Sequence, residues 1–145
     1  MSKSPEPVVT AEELEDYILR EFSQAFRDGK VYHIEELGPG YLTLRLDTND
    51  THLRPGGTVS GPTLFTLADL AAYYAIMAHI GLKGLSVTTS IHLDFMRKAA
   101  PGPLYATCTL LKLGKRLVVT SVAIRDKEDD LIAQGSLTYS VPPRD

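Results

Sequence analysis

The chain has 145 residues, 43% hydrophobic and 23% charged, the balance of one soluble globular domain over 1–145; collagen-like and disordered classes are excluded. Its net charge of -3 arises within the first 30 residues, where seven Asp/Glu face four Lys/Arg, while the rest carries 11 of each sign; no basic stripe marks a nucleic-acid partner. A single cysteine, Cys108, excludes an internal disulfide, and no His/Cys spacing suits a metal.

The N-terminal MSKSPEPVVT lacks the apolar core of a signal peptide, so a reducing cytoplasm is the expected location. Residues 10–28 read as an amphipathic helix. Thr10 and Glu13 form a T-x-x-E capping box, Leu14, Tyr17, Ile18, Phe22, Ala25 and Phe26 recur at helical spacing, and Gly29 is a natural stop. Strand-like segments follow at 31–37 and 41–47, joined by a turn at Gly38-Pro39-Gly40. The polar loop TNDTHLRPGG then leads to a second helix, expected to start at Pro62 because proline suits the first helical position.

Between residues 63 and 80 only Thr63, Thr66, Asp69 and His79 are polar, apart from two tyrosines, so this helix is expected to be buried on most sides. The same polar interruptions make it a poor membrane span. From 85 to 95 the odd positions are Leu, Val, Thr, Ile, Leu and Phe and the even ones Ser, Thr, Ser, His and Asp, the pattern of a strand with one apolar face. Segments 104–113 and 117–124 form a hairpin about Gly114-Lys115, and 131–141 returns after a charged turn. The class is α+β: an antiparallel sheet with meander connections, wrapped around the second helix.

One acid stands out. An ionised carboxylate in an apolar helix is costly unless partners or water compensate it, and Asp69 lies too deep to be a cap. Thr66 and Tyr73 share its helical face and extend a narrow polar stripe. A structural aspartate bonded to backbone is one reading; a general base or nucleophile is the other. Just upstream, Gly56, Gly57 and Gly61 precede the helix start, where free N–H groups and the helix dipole can hold an anion or a developing oxyanion. Arg97, Lys98, Lys112, Lys115 and Arg116 fall at strand ends and a turn, as solvated charges or as phosphate ligands.

The stretch RPGGTVSGPTLFTLADLAA, residues 54–72, resembles the signature of hotdog-fold acyl-CoA thioesterases of the PaaI type, which reads Asn, then G-T-x-H-G-G, then a helix with T-L-x-D. TTSIHLDFMRKA, residues 88–99, resembles that family's following strand, and GKRLVVTSVAIRDKEDDLIAQGSLTY its closing strands, with x-A-x-G near Ala133 to Gly135. The resemblance spans roughly residues 40–140. It implies a hotdog fold, a homodimer or homotetramer with sites shared between subunits, an acyl-CoA substrate, and no cofactor. It further implies that Asp69 is the catalytic carboxylate, that the Gly61 N–H polarises the thioester carbonyl, and that Thr88 helps place the attacking water.

The chain departs from that signature where Arg54 stands at the family's Asn, Ser60 at its His and Pro62 at its second glycine. Arg54 then becomes a charged donor to the carbonyl, an acyl carboxylate or a CoA phosphate. Ser60 keeps a hydroxyl but has no His/Asp pair to activate it as a nucleophile. The expected substrate-binding set is Arg54, Gly57, Ser60, Thr66, Tyr73, Arg97, Lys115 and Arg116. Two functions follow: hydrolysis of an acyl-CoA thioester, or non-catalytic acyl-CoA binding on the same fold.

Overall fold

The computed structural model describes residues 4–27 and 29–144. Its elements are α1 (Ala11–Glu21), β1 (Tyr32–Gly38), β2 (Tyr41–Asp47), α2 (Gly61–Ile80), β3 (Val87–Phe95), β4 (Pro103–Leu113), β5 (Leu117–Asp126) and β6 (Leu131–Ser140). All strand pairs are antiparallel, in the order β1-β2-β4-β5-β6-β3.

The helix α2 lies across β2, β4 and β5, with the sheet wrapped around it in the hotdog arrangement. Alternate residues of those strands point inward: Leu42, Leu44 and Leu46 on β2, Leu104, Ala106 and Cys108 on β4, Val118, Val122 and Ile124 on β5, all fully buried. On the helix, Ala68, Ala71, Ala72, Ala75 and Ala78 keep the facing surface small, so the sheet packs close. By length and composition α2 could cross a bilayer, but 72% of its most apolar window is buried inside the protein.

His79 ties the end of α2 to the β1–β2 turn. Its Nε2 accepts from the Gly40 N–H at 3.0 Å, so Nδ1 carries the proton and donates to the Ala75 carbonyl at 2.7 Å.

Three expectations need correction. The helix read over 10–28 ends at Glu21 and gives way to a 3-10 turn, Ser23–Phe26; residue 28 lies outside the described residues. The Thr10–Glu13 capping box is present, but at Phe22 the backbone turns away, and the Phe22 ring meets Tyr73 edge-on at 5.8 Å. Consecutive strands neighbour one another in β1-β2 and β4-β5-β6, but the chain leaves β2 along α2, and β3 joins the far edge beside β6 instead of continuing the meander. Finally, the apolar face read over 85–95 is largely open. Leu85 is 81% exposed, Val87 58% and Phe95 51%, because β3 is an edge strand beyond the reach of α2's buried side.

Candidate active site

Asp69 is half-buried on the one strip of α2 that the sheet leaves open, together with Pro62, Phe65, Thr66 and Tyr73. Its Oδ1 accepts from Thr88 Oγ1 at 2.8 Å and from the Tyr139 hydroxyl, which also lies 2.9 Å from the Asp69 carbonyl oxygen. Oδ2 accepts no hydrogen bond among the described residues.

A β-bulge makes this meeting possible. Thr88 pairs with Tyr139, but Ser90 pairs with Thr138, leaving Thr89 as the extra residue. Strict alternation would group Thr88 with Ser90 and His92 on one face. The bulge instead puts Thr88 on the same side as Ile91, whose partner Leu137 is core, and so toward α2. Thr89 uses its own hydroxyl on the Thr138 carbonyl at 3.0 Å.

Tyr139 was not among the expected site residues. The available signal was its inward position on a strand with Leu137 and Val141, since a buried tyrosine hydroxyl needs a partner. Burial, followed by the negative charge of Asp69, pushes its phenol far above the ordinary range, so it remains a donor.

Asp69 borders a cleft of about 660 Å³, bounded by Tyr17, Glu21 and Phe22 of the N-terminal segment, by Leu70 and Tyr73 of α2, and by residues 84–88 and Tyr139. Tyr73 is a wall rather than a ligand of Asp69. Its hydroxyl donates to the Gly84 carbonyl at 2.7 Å, and its ring stacks on Tyr139 at 6.3 Å. The Ser86 hydroxyl, buried beside the cleft, has no hydrogen-bond partner among the described residues.

Gly61 lies elsewhere. Eight residues of helix separate it from Asp69, roughly 12 Å at 1.5 Å per residue. Ser60 caps α2 by accepting from the Thr63 N–H at 3.2 Å, and Pro62 has no N–H, so among the described residues the Gly61 N–H is the unspent donor of this first turn. A Cβ at Gly61 would meet open space, and its φ is not in the left-handed region. The fold of this chain therefore does not require glycine there.

Beside Gly61, a groove of about 300 Å³ is lined by Arg54, Thr58, Phe95, Met96, Arg97 and Lys98. Arg54 and Arg97 are exposed and carry no ion pair among the described residues. Gly57 serves the Arg54–Thr58 turn: its φ is +85°, and its N–H is spent on the Arg54 carbonyl. Thr66 opens toward Gly61 and Phe95 rather than the Asp69 cleft. His52 braces this loop, accepting the Asn49 N–H at Nδ1 and the Ser60 N–H at its carbonyl.

Lys115 and Arg116 form a third group with Arg144, around a surface groove of about 720 Å³. Cys108 is no rival nucleophile, since burial holds its thiol up at about 12 and hence protonated. Among the described residues no group of three or more His, Cys, Asp or Glu is placed to hold a metal ion.

The family model described as the thioesterase superfamily matches residues 56–133, which include Gly61, Asp69 and Thr88. A crystal structure from Silicibacter sp. TM1040 that carries a thioesterase name is 39% identical, covers 97% of this chain and 96% of its own, and superposes with a TM-score of 0.86. A Saccharolobus solfataricus protein that carries an esterase name is 30% identical over 107 residues, 74% of this chain and 71% of its own. A Streptococcus pneumoniae TIGR4 protein with a thioesterase name, crystallised with coenzyme A, shares the fold at 19% identity and a TM-score of 0.71, over 79% of this chain and 91% of its own. With the sheet, the wrapped helix and the match over more than half its length, the chain belongs to the thioesterase superfamily.

Proposed function

We propose that this protein hydrolyses the thioester of an acyl-CoA to a free acid and CoA, with Asp69 as general base. The observation that carries the reading is a carboxylate held at one oxygen by Thr88 and Tyr139, with its second oxygen uncommitted, at the border of a mainly apolar cleft. Asp69 Oδ2 takes a proton from water as the water oxygen attacks the thioester carbonyl. The tetrahedral oxyanion collapses, the C–S bond breaks, and the departing CoA thiolate takes the proton back from Asp69. Thr88, instead of gripping the water, serves through its bond to Asp69.

The oxyanion needs a donor, and the Gly61 N–H of the same chain is roughly 12 Å away along the helix. A homodimer resolves this. One end of β3 touches Asp69 through Thr88, while its other end, at Phe95, borders the Gly61 groove. Two β3 edges paired antiparallel would set the Asp69 end of one protomer beside Gly61 of the partner subunit. They would also cover Val87, Phe95 and Met96, each more than half exposed, and an unpaired edge strand of this kind invites a second chain. Arg54, Arg97 and Lys98, nearest Gly61, are the cations this arrangement offers to the CoA phosphates; Lys115 and Arg116 are a second such group. The coenzyme A held by the Streptococcus pneumoniae protein of this fold supports the choice of carrier.

The test is turnover across a panel of acyl-CoA thioesters by wild type and Asp69→Asn, with light scattering on both. Asp69→Asn keeps size and hydrogen bonding but not the base, so it should stay folded and lose ~10²–10⁴-fold in kcat, the usual worth of general-base catalysis. Wild-type turnover in Asp69→Asn removes Asp69 from the chemistry. A wild type that binds acyl-CoA but cleaves none is a binding module instead. A monomer at micromolar concentration ends the shared site.

A further inference from the structure

We propose that Tyr139 is a positioning residue for the reaction: its hydroxyl locks the Asp69 carboxylate in one rotamer, so that Oδ2 alone is free to take the proton. The inference rests on the hydrolytic reading above and adds to it the device that aims the base.

Three features carry it. Tyr139 lies directly across the β3–β6 pairing from Thr88, so both donors to Oδ1 reach it from adjacent residues of two strands. A carboxylate held at a single oxygen by two donors cannot rotate about its Cβ–Cγ bond without losing both. The Tyr139 hydroxyl also reaches the Asp69 carbonyl oxygen at 2.9 Å, so the same group registers the side chain against its own helix. One hydroxyl carries one proton, and between two acceptors the charged carboxylate is the stronger. Lastly, the tyrosine is itself held: it is 2% exposed, its ring stacks on Tyr73 at 6.3 Å, and Tyr73 is fixed by its bond to the Gly84 carbonyl and by Phe22. The other titratable groups around this cleft are Tyr73 on α2 and Tyr17 and Glu21 on α1; neither Tyr73 nor Tyr17 spends its hydroxyl on Asp69.

A purely structural tyrosine would affect stability alone. Tyr139→Phe keeps the ring and its stack but removes the donor, so kcat should fall on the order of 10–100-fold, the cost of a misaimed catalytic group, while KM stays within about twofold. Replacing Tyr139 with 3-fluorotyrosine restores a hydroxyl and should return kcat to within a few-fold of wild type. The same fluorinated protein gives a readout without turnover: its ¹⁹F resonance should move clearly between the wild-type background and Asp69→Asn, because the neutral amide is a poorer acceptor. If Tyr139→Phe fails to fold, the fluorotyrosine arm still decides the matter. Unchanged kcat in Tyr139→Phe, or a ¹⁹F signal indifferent to Asp69→Asn, overturns the proposal. Should the wild type cleave no thioester, hydrolysis falls as the function, while the ¹⁹F comparison still judges the Tyr139–Asp69 lock.

Discussion

Gly135 offers the sharpest test of the packing that supports the site. It sits in β6 opposite Leu93 of β3 and Val122 of β5. A Cβ built there would lie 1.8 Å from the His92 carbonyl oxygen and 2.8 Å from both the His92 carbonyl carbon and the Leu93 Cα. All three are backbone atoms of β3, so no side-chain rotamer relieves the clash. To bring the oxygen contact out to even 3.0 Å, β3 must back away by about 1.2 Å, more than a ladder hydrogen bond tolerates without weakening. The edge strand gives way first because it is paired on one side only. Overpacking commonly costs about 1–3 kcal/mol, and each compromised ladder bond adds roughly 1 kcal/mol. Gly135→Ala should therefore lose about 3 kcal/mol, a fall in Tm of roughly 6–12 °C for a chain of this length. Because β3 also carries Thr88, turnover should drop as well. Urea denaturation and a thermal melt read the first effect, and acyl-CoA hydrolysis the second. A Tm within about 2 °C of wild type would refute the reasoning, since it would mean that the strands yield without cost.

Gly61→Ala makes the contrast: with open space around its Cβ and no left-handed φ, the variant should melt like wild type, yet raise KM severalfold if a thioester passes close to the Gly61 N–H. Equal KM would show that nothing approaches that N–H. His79→Leu strands the buried Gly40 N–H and should cost about 1–3 kcal/mol by urea denaturation; a neutral result would show that water replaces the imidazole. Alkaline stability follows from Cys108, whose thiol is raised by burial from 9.0 to about 12. A folded-state pKa above the unfolded one leaves this contribution intact below pH 9.0 and erodes it as pH climbs through about 12, at up to ~1.4 kcal/mol per pH unit. Tyr139 and Tyr74, both raised chiefly by burial, act in the same direction. Cys108→Ala should flatten the fall measured by denaturation between pH 9 and 11, and an unaltered slope would remove the thiol from the account.

Much of this protein is written locally. The Thr10–Glu13 capping box, the turn at Gly38-Pro39-Gly40 and the hairpin at Gly114 depend on residues a few positions apart, and each formed where the pattern put it. The apolar run after Ser60 likewise specified a helix to be wrapped, and Asp69 stood out as the one acid in it. Tertiary structure decided the rest, because hydrophobic patterning says which face is apolar but not what will cover it. Alternation over 85–95 predicted an apolar face, yet only the placement of β3 at the far edge beside β6 shows that much of it is left exposed. The bulge at Thr89 reverses that alternation where it matters, turning Thr88 toward α2. Tyr139, 70 residues from Asp69 in the chain, became its partner only through strand register, a pairing over a distance that no local spacing encodes.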